Sequence, residues 1–154
     1  MPASVFDRLH ERLEASGVAF TVLRHEPVYT SEQAAAVRGV PLASGAKALV
    51  LKAGEAFVLA VVPANRKLDS KKARAALGSR SIRFASREEV EQITGLQPGS
   101  IPPFGSLFGL PTYCDPALDE NASINFNAGD HSISVQMGYA DYVTVERPAP
   151  AALT

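Results

Sequence analysis

Little in this chain is available for redox or metal chemistry. A single cysteine, Cys114, excludes an internal disulfide and suits a reducing compartment. The three histidines, His10, His25 and His131, lie far apart, with no His-Glu-x-x-His or paired-cysteine spacing, so the pattern offers no metal centre and no cofactor. No apolar run approaches the ~20 residues that span a bilayer. The opening MPASVFDRLHERLE does not read as a secretory signal, so a cytoplasmic protein without a membrane partner is expected. Charge of one sign is also missing: 15 Lys and Arg face 16 Asp and Glu. That balance argues against a general nucleic-acid coat, which would be strongly basic, and leaves room only for a local patch. A Walker loop, a G-x-G-x-x-G turn and a G-x-S-x-G elbow are all lacking, since PGSIPPFG puts proline where the elbow helix would start.

The remaining pattern fits one α+β domain. At 154 residues the chain can bury roughly two thirds of the surface it exposes when unfolded. Val5, Leu9 and Leu13 share a helix face that Gly17 ends, and VAFTVLRH alternates like a strand. Thr30 with Gln33, and Ser86 with Glu89, form capping boxes that open short helices ending at Gly39 and Gly95. AKALVLKAGEAFVLAVVPA reads as a hairpin turning at Gly54-Glu55, Asp69 caps a helix through Leu77, and SIRFA is a short strand. ASINFNAGDHSISVQM reads as two strands around a polar turn, and GYADYVTV as a closing strand. The expectation is a central mixed, mostly antiparallel sheet with short helices around it. The domain is assigned to residues 1–147, and the Pro/Ala tail 148–154 is expected to fray.

Three stretches carry candidate chemistry. In SGAKALVLKAG, Lys47 heads a buried strand and shares a face with Leu49 and Leu51. The segment 96–116 combines Gly99, Gly105 and Gly109 with five of the chain's 11 prolines, yet is rich in Phe and Leu. It reads as an ordered, partly buried loop of the kind that carries function. Glycines let backbone N–H groups approach a ligand and prolines hold those donors still. With the ammonium and the polar turn 127–131, such donors suit an ester carbonyl gaining negative charge near a phosphate. The third stretch, residues 65–83, gathers Arg66, Lys67, Lys71, Lys72, Arg74, Arg80 and Arg83 against one acid, Asp69. It is either a contact for nucleic acid or a solvated helix face.

RGVPLASGAKALVLK, TGLQPGSIPPFG and FNAGDHSISVQMGYADYVTV, in that order and spacing, resemble the YbaK/prolyl-tRNA-synthetase-insertion family of editing domains, and most of all its free-standing YeaK-like branch. The similarity runs from the first helix to the last strand. It implies a single α+β domain that hydrolyses, in trans, the ester joining a wrong amino acid to tRNA, without a cofactor. Carried over by position, the family lysine falls on Lys47, the glycine loop on Gly99, Pro102 and Pro103 with Ser100 between them, the polar turn on Asn127 and Gly129, and the acidic position on Asp141. Lys47, Gly99 and Asp141 are thus the implied catalytic set. Ala48, Ser100, Pro102, Pro103, Asn127, Gly129 and His131 are the implied substrate contacts. His131 resembles a pocket histidine of some branches, and Ala48 stands where many members have Thr or Asn.

The resemblance implies a partner as well, the acceptor end of an aminoacyl-tRNA, with a synthetase as a further candidate. Lys67, Lys71, Lys72 and Arg74 are the expected tRNA contacts. The implied substrates carry small amino acids of the Ala/Ser/Thr class, with tRNA-Pro a candidate carrier. Two rival classes stay open at this level: a non-catalytic module that binds aminoacyl-tRNA or a synthetase, and a hydrolase using Cys114 as nucleophile with His131. A lone cysteine beside Tyr113 on a strand also fits a small core residue.

Overall fold

Three capping boxes start helices where the sequence places them. Ser4 with Asp7, Thr30 with Gln33, and Ser86 with Glu89 each exchange side-chain and backbone bonds, opening α1 (Val5–Ser16), α2 (Ser31–Arg38) and α4 (Arg87–Thr94). Asp69 caps α3 (Ser70–Leu77) by accepting from the Lys72 N–H. The computed structural model describes residues 3–154, so the first two residues of the 1–147 assignment lie outside the described residues.

Strands among the described residues form two sheets rather than the single central sheet expected. In the first, β1 (Phe20–Arg24) and β6 (Ser123–Asn127) flank β7 (Ile133–Gly138), all antiparallel. In the second the order is β4 (Ile82–Phe84), β2 (Ala46–Ala53), β3 (Ala56–Pro63), β5 (Thr112–Cys114), β8 (Ala149–Pro150). The β2–β3 hairpin turns at Gly54, which adopts φ +62°. The pairs β3–β5 and β5–β8 are parallel. Among the described residues one isolated bridge, Gly45 to Asn125, joins the two sheets. Gly45 has no room for a side chain there, because a Cβ would stand 2.8 Å from that of Ala64.

The alternation along β2 divides the core. Ala46, Ala48 and Val50 join the main cluster with Leu9, Leu13, Phe104, Phe126 and Tyr142. Leu49 and Leu51 pack in a second cluster with Ala73, Ala151 and Leu153. No helix among the described residues is long and apolar enough to cross a membrane.

Two further expectations are corrected. GYADYVTV is not a strand but a helix, α5 (Tyr139–Glu146). Its aromatic and β-branched residues favour extension locally, but Tyr139, Tyr142 and Val143 also recur at helical spacing, and packing against the core selects that period. Tyr142 is fully buried, and its hydroxyl donates to the Pro103 carbonyl at 2.7 Å. The tail 148–154 is not frayed. It adds β8 beside β5, buries Ala151 and Leu153, and donates to the Asp115 carboxylate from the Leu153 N–H, the Thr154 N–H and the Thr154 hydroxyl. Burial raises the Asp115 pKa, but these donors together with the Ala117 N–H outweigh it and hold the carboxyl below its usual range.

Candidate active site

A cavity of about 130 Å³ opens where the two sheets meet. One wall comes from α2 and the segment before it, a second from the start of β2, and a third from the ends of β6 and the glycine loop. Lys47, Ala48, Gly99, Asn127 and His131, five residues singled out in the sequence, line it together. No carboxylate side chain stands among the lining residues, which include two cations, Lys47 and Arg38. Such a wall favours a ligand that carries or develops negative charge.

Lys47 is half-buried and enters no salt bridge among the described residues. Gly99, which also lines the cavity, has φ +91°, a conformation that L side chains rarely adopt. Its loop is fastened at three points. The Asn127 Nδ2 donates to the Gly99 carbonyl at 2.7 Å, the Gly129 N–H to the Ser100 carbonyl at 2.8 Å, and Tyr142 to Pro103. The Ser100 N–H is spent on the Gln97 carbonyl at 3.2 Å. The Gly99 and Ile101 N–H groups have no protein acceptor among the described residues, and both residues line the cavity. His131 stands 3.4 Å from where a Gly99 side chain would begin; its Nδ1 is buried without a hydrogen-bond partner among the described residues. The exposed ring of Tyr29 leans on it at 4.7 Å between centroids.

Other residues singled out in the sequence lie elsewhere. Ser100, Pro102 and Pro103 are buried and shape the loop from behind rather than lining the cavity. Gly129 is likewise outside the lining and serves through its N–H. Asp141 is in the first turn of α5, its carboxylate folded over Gly138, and is not among the lining residues. Lys67 precedes α3, while Lys71, Lys72 and Arg74 lie on it, all outside the lining. Lys72 donates to the Thr154 carbonyl at 2.8 Å. Cys114 is a core residue only 2% exposed, and burial pushes its thiol up to about 12, which removes the thiolate that a nucleophile needs. It does not line the cavity with His131. No group of three His, Cys, Asp or Glu side chains able to hold a metal occurs among the described residues.

Sequence reasoning missed Arg38. It ends α2 just before Gly39, where a cation reads as a helix-terminus charge facing water. Instead it is half-buried, and desolvation lowers its pKa to about 10, leaving it charged at neutral pH. Its Nε donates to the Ser134 hydroxyl and its Nη2 to Asn127 Oδ1, each at 2.8 Å. Only its place at the head of RGVPLASGAK hints at a role.

Comparison with known proteins assigns the chain to a family. The family model described as "Aminoacyl-tRNA editing domain" matches residues 25–145, which hold every lining residue. The multifunctional Ser/Thr-tRNA deacylase ProXp-y of Escherichia coli is 36% identical over 146 residues, covering 92% of this chain and 87% of that protein. The prolyl-tRNA editing protein ProX of Acetoanaerobium sticklandii is 26% identical over 136 residues, covering 84% and 83%. A crystal structure described provisionally as a trans-editing enzyme for prolyl tRNA synthetase shares the fold, with a TM-score of 0.85 at 24% identity over 100% of this chain and 99% of that one. A family match across most of the chain and a near full-length relative converge on one conclusion: this chain belongs to the aminoacyl-tRNA editing domain family.

Proposed function

We propose that this chain is an aminoacyl-tRNA deacylase that acts in trans on mischarged tRNA carrying a small amino acid of the Ala/Ser/Thr class. The observation that carries the reading is the cavity itself: small, free of carboxylates, and lined by Lys47 and by Gly99 and Ile101, whose N–H groups have no protein acceptor among the described residues. The Gly99 and Ile101 N–H groups hold the oxyanion that forms when water attacks the ester carbonyl, and Lys47 holds the nearby phosphate of the acceptor end. A hydroxyl of the terminal ribose assists the water. Catalysis of this kind rests on positioning and preorganised donors, and it needs no nucleophilic side chain.

Size supports the substrate class. A 130 Å³ cavity is well below the ~300–1,000 Å³ of sites for drug-sized ligands, so bulky side chains are excluded. One methylene changes binding by only about 1–3 kcal/mol, so neighbouring small amino acids are hydrolysed together. The deacylase name of the Escherichia coli relative supports the ester as substrate, and the prolyl-tRNA editing name of the Acetoanaerobium sticklandii relative makes tRNA-Pro one candidate carrier. A synthetase is a candidate partner, because a matching segment also occurs within the proline–tRNA ligase of Thermosipho africanus.

A deacylation assay over tRNAs mischarged with Ala, Ser, Thr and larger amino acids tests the proposal. Hydrolysis of the small set, reduced about 10²-fold in folded Lys47→Ala, is the expected result. Binding of these tRNAs without turnover would instead make the chain a recognition module.

A further inference from the structure

The Asn127 side chain must choose between two orientations, and Arg38 makes the choice. An amide offers an oxygen on one side and an NH₂ on the other, whereas a guanidinium carries donors only. With Arg38 Nη2 at 2.8 Å, the Asn127 oxygen has to face Arg38. Its Nδ2 is thereby turned to the Gly99 carbonyl, 2.7 Å away. A 180° turn would set oxygen against oxygen at Gly99 and release the loop.

The guanidinium is itself held. Asn127 and Ser134 are direct cross-strand partners of β6 and β7, and Arg38 bonds both with one fork. Beyond Ser134, the hydroxyl lies 2.8 Å from His25 Nε2, and His25 Nδ1 lies 2.8 Å from the Glu26 carbonyl. A carbonyl only accepts, so Nδ1 donates to Glu26, and in the neutral ring Nε2 accepts from the Ser134 hydroxyl. From Ser134 through Arg38 and Asn127 to Gly99 the contacts run in one line, and Arg38 is the member that donates in both directions.

We infer that Arg38 is a positioning residue for ester hydrolysis: without touching the reacting atoms, it orients Asn127 and so fixes the Gly99 loop whose N–H groups meet the oxyanion. The inference rests on the proposed role of that loop.

Arg38→Lys, Asn127→Ala, their double variant and Asn127→Asp test it, with kcat, KM and Tm measured on the mischarged tRNA that the wild type hydrolyses fastest. A lysine lacks the planar fork that holds both acceptors in one fixed geometry, so Arg38→Lys lowers kcat about 10²-fold while KM stays within about twofold. Asn127→Ala does the same, and the double variant is no worse than the poorer single, because the two residues act as one unit. Asn127→Asp keeps an acceptor for Arg38 but loses the donor to Gly99; it stays folded with unchanged or raised Tm and still loses kcat. In ¹⁵N spectra of Arg38→Lys, the Asn127 side-chain NH₂ signals shift, a readout independent of turnover. Losses that multiply in the double variant, a rise in KM alone, or a lower Tm with unchanged kcat would each overturn the inference. Gly99→Ala separates the two levels. If it too leaves kcat unchanged, the loop reading fails; if it lowers kcat while the Arg38 and Asn127 variants do not, only the positioning role fails.

Discussion

Gly99→Ala puts the loop on a quantitative footing, because the structure supplies its own control. At φ +91°, an alanine is strained whatever space surrounds it, and the strain amounts to roughly 1–2 kcal/mol. The new Cβ meets only His131 Cε1, at 3.4 Å, so no large steric cost is added. For a chain of this size the loss lowers Tm by about 2–8 °C. Gly17, the C-cap of α1, has φ +72° and nothing within 4 Å of its would-be Cβ. Gly17→Ala therefore carries a similar stability loss at a residue outside the cavity lining. The two differ in function. A loop that relieves the strain shifts the Gly99 and Ile101 N–H groups, and a displacement near 1 Å costs about 10²-fold in rate. Thermal unfolding and single-turnover deacylation of both variants are the assay. Equal Tm losses with kcat reduced only in Gly99→Ala support the reasoning; equal kcat in the two would reduce Gly99 to an ordinary turn residue.

The basic segment is tested by Lys67→Glu with Lys71→Glu, which spares Lys72 because that ammonium is bonded to Thr154. A tRNA contact there raises KM, leaves kcat nearly unchanged and flattens the salt dependence by about 0.7–0.9 per lost phosphate contact; an unchanged KM assigns the segment to solvation. Asp115, held below its usual pKa by its donors, stabilises the fold above the unfolded carboxyl value of about 3.9 and loses that contribution as pH falls through its folded value. Wild-type Tm should thus fall more steeply under acid than that of Asp115→Asn, and parallel curves would contradict the clamp on the tail. Leu153 is fully buried, so Leu153→Ala should lower stability by about 2–5 kcal/mol in chemical denaturation; a loss near zero would return the tail to a frayed state. Cys114, with its buried thiol pushed up to about 12, should resist iodoacetamide in the native protein, and deacylation should persist. Inactivation that tracks alkylation would restore a cysteine mechanism.

What the sequence determined by itself is local or repeats at short range. Capping boxes are local, so Thr30–Gln33 and Ser86–Glu89 were readable as helix starts, and the spacing of Val5, Leu9 and Leu13 marked the first helix whose Ser4–Asp7 box the structure added. The β2–β3 hairpin followed from two apolar runs about one glycine turn, and Lys47, Gly99 and Asn127 stood out by residue type and by resemblance before they were found lining one cavity. The tertiary structure decided wherever a partner lies far along the chain. Whether residues 139–146 extend or coil depends on Tyr142 reaching Pro103, and the tail is ordered by Asp115, 38 residues before Leu153. Arg38 is the sharpest case: its two acceptors lie 96 and 89 residues away, and no local pattern distinguishes a solvated helix-end cation from one that folds inward to them. Asp141 is the converse, an acid placed by motif position that the start of α5 turns onto Gly138 instead. Local hydrogen bonding fixes elements, whereas burial of a charged side chain depends on polar partners that only the assembled sheets bring within reach.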